Sequence, residues 1–356
     1  TLKTPRIIAI EPTCMQYMQQ AVLEAMMQEF GRDRLLPNFI GFDDQIPNQE
    51  LARKGSLYGD LATLDLSEAS DRVSNQLVRQ LFAPWLWLAE AIDATRSRKA
   101  DIPGYGVKRL AKYASMGSAL CFPVEAFVFT TLVFLGIEKD LGYPLNHRSH
   151  VKGRKTFRSY YGKVRVYGDD MIIPVEHVRS VVTTLQDFGL VVNVHKSFWT
   201  GKFRESCGKE YFSGEDVSVV RVREMLPTQR RHATEIISTV SLRNRLYQAG
   251  LWNAAGYLDN LLQRFIPMPR IEETSPALGR LSFLEHSSGK DCPNLQKPLV
   301  RAYVVRNNLP IDRLDDYPAL LKYFLKRGDE PLSKNHLERA GRSRAVDIKL
   351  AWVPPY

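Results

Sequence analysis

Cysteine is scarce: four in 356 residues, far apart. Cys14, Cys121, Cys207 and Cys292 form no CxxC pair, and none stands near a histidine at zinc-finger spacing. A disulfide framework and a structural zinc site are therefore excluded, and the four read as reduced thiols of a cytoplasmic protein. Internal repeats and low-complexity blocks are also lacking, which excludes solenoids and fibres. No signal peptide opens the chain. It begins Thr1-Leu2-Lys3 without a methionine, which points to a natural N-terminus further upstream. Long hydrophobic runs are limited to one, residues 119–137. That run carries Pro123 and Glu125 and ends in Glu138-Lys139-Asp140, so it reads as a buried globular helix with proline in its first turn. A free-standing basic amphipathic helix is absent too, and no membrane partner is expected.

Hydrophobic residues make up 44% of the chain, enough for a substantial core. At roughly 150 residues per domain, the length predicts two or three compact units. Lys and Arg number 49 against 39 Asp and Glu, a net charge of +10. Such an excess favours a polyanionic partner. It is densest at 147–165, where Arg148, Lys152, Arg154, Lys155, Arg158, Lys163 and Arg165 occur with no acid among them.

The pattern predicts an α+β fold. Residues 14–30 read as a helix ending at Gly31, 60–67 as a centrally placed strand, and 75–92 as a helix kinked at Pro84. A basic loop near 96–113 leads to a helix from 123. Residues 163–174 read as strand, turn and strand, 175–189 as an amphipathic helix closed by Gly189, and 190–198 as another strand. Residues 207–224 read as a hairpin turning at Ser213–Asp216. From 228 to 265 the pattern is helical, and the rest is mixed with many prolines.

Within the segment 163–174 two adjacent aspartates, Asp169 and Asp170, interrupt an apolar strand pattern. Adjacent buried carboxylates are costly unless something pairs with them. A third, Asp65, lies at the end of the 60–66 strand. If that strand lies beside the 164–173 hairpin, the three converge. Hard oxygen ligands then favour Mg²⁺, bound through carboxylates and substrate phosphates. Two such ions roughly 4 Å apart form the clamp used for in-line phosphoryl transfer. Asp pairs are also common in plain turns.

Other residues suit the same chemistry, each with a plainer reading beside it. Lys3 and Arg6 could neutralise incoming phosphates or be surface charges. Asp71 could accept from a ribose hydroxyl or cap the next helix. The small-residue stretch from Ser115 through Gly117 could let backbone approach a ribose or template, or simply lead into a helix. Lys196 could protonate departing pyrophosphate, or be a solvated lysine at a strand end.

Taken in order, 6–12, 44–56, "LATLDLSEASDRVS" (61–74), 114–129, "VYGDDMIIP" (166–174) and "HKSFWTGKFRESCGKEYFSG" (195–214) resemble the motif series of viral RNA-dependent RNA polymerases. They are most similar to the replicase catalytic subunit of the single-stranded RNA bacteriophages, the leviviruses, with narnaviruses and mitoviruses sharing much of the pattern. The resemblance implies a right-hand fold of fingers, palm and helical thumb, part of the fingers preceding residue 1. Residues 1–59 would be a fingers part, 60–225 palm with inserted fingers elements, and 226–356 thumb and C-terminal region. It implies that Asp65 and Asp169 bind two Mg²⁺ ions, Mn²⁺ being an alternative, with Asp170 supporting. Asp71 would sense ribose, Ser115 and Gly117 would follow template and nucleotide, Arg6 (with Lys3) would meet the triphosphate, and Lys196 would be the acid. Arg204, Glu205 and Ser206 would contact the primer or product end. RNA template and product, ribonucleoside triphosphates, host elongation factors Tu and Ts and a ribosomal protein are the implied partners, in the cytoplasm of a bacterial host. The sequence departs from the family at Ser118, Ala119 and Cys121.

Two other readings stay open. A reverse transcriptase shares the palm, although Gly168 and Asp71 argue against it. A non-catalytic RNA-binding protein would use the basic surface, with Tyr160 and Tyr161 as stacking candidates. Three aspartates facing a polyanion would have no use in such a binder.

Overall fold

The structure, a computed structural model, describes residues 8–146, 154–294, 296–307, 317–318, 321, 325 and 346–356. It divides into two compact units, Thr1–Val219 and Val220–Tyr356. That division falls just ahead of the 225/226 boundary expected from the sequence, and no division separates 1–59 from the rest. Lys3, Arg6, Arg148 and Lys152 lie outside the described residues.

In chain order the first unit holds α1 (Thr13–Arg32), α2 (Ile46–Tyr58), β1 (Leu61–Leu64), β2 (Leu66–Ser67), α3 (Ala69–Arg72), α4 (Asn75–Phe82), α5 (Leu86–Thr95), β3 (Lys99–Ile102), β4 (Gly106–Arg109) and α6 (Cys121–Leu141). There follow β5 (Arg165–Tyr167), β6 (Asp170–Pro174), α7 (Val178–Asp187), β7 (Val191–Val192), β8 (Phe203–Ser206), β9 (Lys209–Phe212) and β10 (Glu215–Asp216).

A three-stranded antiparallel sheet, ordered β1-β6-β5, forms the centre. Every residue of β1 is buried. The all-apolar pattern suggested a central strand, yet β1 is the outer strand of its ladder. It stays dry because its free edge is covered: Thr63 and Phe198 exchange backbone hydrogen bonds of 2.9 and 2.7 Å. The long apolar helix α6 packs within this unit, with Val124, Val128, Phe129, Leu132 and Ile137 in one core with Leu64, Val166, Met171 and Ile173. Its length and composition would suit a membrane span, but most of it is buried here. Helix α7 lies very close to α6, with Gly136 facing Val181.

Four segments differ locally from the expectation. The expected kinked helix at 75–92 is two helices, α4 and α5, because Pro84 has no N–H to continue the ladder. The basic loop contains the β3–β4 hairpin, whose turn uses Gly104 and Gly106 at positive φ. Its apolar content is too low to show a strand pattern. The expected hairpin at 207–224 begins earlier: β8 pairs with β9 around Cys207-Gly208, and β9 turns into β10 at Ser213-Gly214. Of the strand expected at 190–198, only β7 forms.

The second unit opens with α8 (Ala233–Gln248) and α9 (Trp252–Leu262). Arg243 joins them through a bidentate pair with Asp259 (2.8 and 2.9 Å) and donates to the Leu281 carbonyl. The strands β11 (Arg270–Ile271), β12 (Ala277–Leu278), β13 (Arg280–Leu281), β14 (Lys290–Asp291), β15 (Pro298–Asn307) and β16 (Val346–Val353) follow. The helical pattern expected over 228–265 corresponds to α8 and α9, and in the mixed remainder β15 and β16 pair along eight residues. The intervening 308–345 separate the partners so widely in sequence that local patterning could not announce the sheet.

Two helical glycines should respond oppositely to alanine. At Gly136 a Cβ would lie 2.7 Å from Val181 Cα. That backbone clash outweighs the helix-propensity gain, so Gly136→Ala should destabilise by about 1–3 kcal/mol in urea unfolding. At Gly256, in α9, nothing lies within 4 Å of the added carbon, and Gly256→Ala should stabilise by about 0.5–1 kcal/mol.

Candidate active site

The register that builds the sheet also gathers the carboxylates. Leu64 pairs with Met171, so the next positions outward are Asp65 on one strand and Asp170 on the other. Tyr167 pairs with Asp170, leaving Gly168 and Asp169 as the turn. Gly168 has φ of 59°, and a Cβ there would meet the Phe122 ring at 2.5 Å. Both the backbone and the ring therefore demand glycine.

Asp65 is held on several sides. Asn193 donates from its side chain to Asp65 Oδ2 (3.1 Å) and from its backbone to the Asp65 carbonyl (2.9 Å). The Asp65 N–H donates to Ser197 Oγ. Lys196 Nζ lies 3.8 Å from Asp65 Oδ2, with its side chain half exposed. Burial pushes the Asp65 carboxyl above its ordinary pKa; Lys196 and Asn193 oppose this, while Asp169 and Glu205 add to it. Asp170 is pushed up to about 6, first by burial, then by the charge of Asp169 and, more weakly, of Asp65. Ser206 Oγ donates to Asp170 Oδ1 (3.3 Å), and the Cys207 N–H also serves this carboxylate.

The remaining sequence candidates divide. Glu205 adds its charge to the Asp65 environment. Asp71 pairs with Lys112, and the α4 cap is Ser74 instead. Ser115 is buried. The missing Cβ of Gly117 makes room for the chain's own Ala9 carbonyl, and Ala9 N–H donates to the Met116 carbonyl. The space left by that missing carbon is thus filled by Ala9 and its neighbour Ile8. The side chains of Arg204 and Ser206, expected at the primer or product end, are both buried. Arg204 donates to the Leu61, Gly201 and Phe203 carbonyls, at 2.5, 3.1 and 2.7 Å. It ties β8 to β1, and Ser206 braces Asp170.

Sequence reasoning missed Asn193, Ser197 and Cys207, whose roles depend on contacts distant in sequence. It also missed Gln19, fully buried, which donates to the Thr95 carbonyl and accepts from Ser118 and Ala119. Glu125 gave a visible signal, a lone acid in an apolar helix. It is buried, accepts from the Cys121 thiol (3.0 Å), and is pushed up to about 7, first by burial and then by the charges of Asp169 and Asp71.

Among the described residues no three acid, histidine or cysteine side chains enclose an ion by themselves. The donor set nevertheless fits divalent ions that take the rest of their ligands from phosphates and water. Asp65 and Asp170 are raised partly by neighbouring negative charge, the condition that a bound cation relieves.

Residues 1–253 match the family described as RNA replicase, beta-chain. The chain belongs to that family. It is 31% identical over 279 residues to the RNA-directed RNA polymerase beta chain of Enterobacteria phage fr, covering 78% of this chain and 43% of the relative. It is 35% identical over 224 residues to the RNA-directed RNA polymerase subunit beta of Escherichia virus Qbeta, covering 63% and 34%. The chain thus spans less than half the length of these curated relatives. An insertion-loop deletion mutant of the RNA-dependent RNA polymerase of a human picobirnavirus superposes with a TM-score of 0.48 at 13% identity, over 74% of this chain and 54% of that one.

The raised pKa of Asp170 makes a stability prediction. The folded carboxyl holds its proton to about pH 6, whereas an unfolded aspartate releases it near 4. Its ionised form therefore weakens the metal-free fold fully above about pH 6, and the cost fades as pH falls towards 4. Asp170→Asn should stabilise the metal-free chain at pH 8, by at most about 3 kcal/mol, with little gain at pH 4. Thermal unfolding at the two pH values checks this.

Proposed function

We propose that this replicase chain carries the catalytic centre of a viral RNA-directed RNA polymerase, joining ribonucleoside triphosphates on an RNA template to copy a positive-strand phage genome. The observation that carries the reading is the β1–β6 pairing, which brings Asp65 to the Asp169-Asp170 turn in a chain of the replicase family. In this reading residues 60–225 hold the palm, 1–59 part of the fingers and 226–356 the thumb and C-terminal region of a right hand.

Asp65 and Asp169 would hold two divalent ions, with Asp170 supporting. Mg²⁺ is the proposed species and Mn²⁺ a substitute. When bound, the ions supply charge neutralisation between carboxylates and triphosphate and ease deprotonation of the attacking hydroxyl. The growing 3′-hydroxyl attacks the α-phosphorus and pyrophosphate departs. Lys196, 3.8 Å from Asp65 Oδ2, would give pyrophosphate a proton. Asp71 would accept from the ribose 2′-hydroxyl once Lys112 shares or yields it. Ser115 and the Gly117 loop would border that ribose, while Lys3 and Arg6 would meet the phosphates. Glu205 would shape the field at Asp65. The bacterial host cytoplasm is the proposed place of action, with elongation factors Tu and Ts and a ribosomal protein as partners.

Ribonucleotide incorporation on an RNA template, with and without Mg²⁺, tests the reading. Asp169→Asn should reduce incorporation by about a thousandfold or more, since it removes a group that acts in the transition state. Retained Mg²⁺-dependent synthesis in that variant would refute the assignment. Preference for deoxyribonucleotides would favour a reverse transcriptase.

A further inference from the structure

Outside the carboxylate cluster, a concentration of positive charge with no assigned role lies among the described residues on and below the β3–β4 hairpin. Residues 96–112 contain six cations and one acid, Asp101. Of the six, Lys112 is engaged with Asp71. At the hairpin's base a single carboxylate, Asp93, serves three guanidiniums: Arg96 at 3.0 Å, Arg79 at 2.9 Å and Arg98 at 3.1 Å. One negative charge among three positive ones leaves a local excess of two. Burial works against the charged form of Asp93, yet hydrogen bonds from Arg96 and Arg79 hold its carboxyl below the usual range.

The hairpin itself is charged against its own stability. Lys99 stands directly opposite Arg109, and both are exposed. Like charges facing across two antiparallel strands are unfavourable, and a two-stranded ribbon has little stability to spare. Lys108 adds a further cation on the same strand as Arg109. An anionic ligand would turn this repulsion into binding.

A place for such a ligand lies beside it. A cleft of about 360 Å³ is lined by Ser74, Asn75, Gln76, Arg79, Arg96 and Arg109, together with Leu110 and Ala111. All its charged walls are positive. Arg96 is 7% exposed and fixed by Asp93, so part of the positive field is preorganised. At the hairpin tip Tyr105 is 75% exposed, a ring available for base stacking.

From this geometry we infer that the β3–β4 hairpin and the cleft at its base bind the backbone of a single-stranded RNA, as a surface additional to the carboxylate cluster. The charge pattern identifies a polyphosphate strand. That the strand is RNA rests on the proposed polymerase reading. Cations tracking phosphates with one exposed aromatic group suit a single strand with little sequence preference.

Charge reversal separates a binding surface from incidental surface charge. Lys99→Glu places an acid opposite Arg109, so hairpin stability should hold or rise while the RNA path loses positive charge. Lys99→Glu combined with Lys108→Glu removes more. Binding of a fluorescently labelled oligouridylate to the 356-residue chain is measured by anisotropy across a salt series. The double variant should bind about tenfold or more weakly, and the slope of log affinity against log salt should become shallower by about one. Its melting temperature should not fall. Unchanged affinity and slope would overturn the inference. So would charge-sensitive binding to phosphatidylserine vesicles with none to RNA. The assay reads binding and not incorporation, so it can fail while polymerisation persists, and it can succeed in a chain that polymerises nothing.

Discussion

The antiparallel pairing of β1 with β6 is the constraint on which the candidate site depends. It satisfies the backbone of two buried strands, and its register then leaves no choice about where Asp65 and Asp170 emerge. Burial and the neighbouring charge of Asp169 raise both carboxyls. A protein selected for stability alone would not concentrate negative charge at the end of its central sheet. The cluster is intelligible as a site that becomes comfortable when cations and phosphates enter.

The surrounding chain is arranged to keep those carboxylates in place. Asn193 grips Asp65 through both backbone and side chain. Arg204 spends its guanidinium on main-chain carbonyls, which fixes β8 against β1, and Ser206 two residues later reaches Asp170. The Arg204–Ser206 segment is therefore a brace behind the aspartates. Helix α2 supports the same hairpin: Gln49 donates to the Cys207 carbonyl, and Ser56 donates to the Lys202 carbonyl while accepting from the Gly214 N–H. Gly55 allows this helix to run against β1, where a Cβ would meet the Leu61 carbonyl at 2.8 Å.

Much of this was legible in the sequence because its signals are local. The helix of 121–141, the strand pair around Gly168-Asp169 and the helix before Gly189 carry strong apolar periodicity and turn residues. Convergence of Asp65 with the turn could be posed from sequence only as a condition, and the strand register satisfies it. The roles of Arg204 and Ser206 were not legible, since polarity suggested exposure and only long-range contacts reveal burial. Gly117 was readable as a place of close approach, but its neighbour, the Ala9 carbonyl, was not. The β15–β16 pair was hidden by the chain length between its strands, and the β3–β4 hairpin by its charge.

The most direct measurement is Mn²⁺ binding, followed by electron paramagnetic resonance, in wild type and Asp65→Asn at neutral pH with a ribonucleoside triphosphate present. Removing one carboxylate from a shared site should weaken binding by about tenfold or more, while far-ultraviolet circular dichroism shows the fold intact. Equal Mn²⁺ binding by the two folded proteins would mean that the pairing of β1 with β6 gathers carboxylates that hold no metal, and the account would be wrong at its centre.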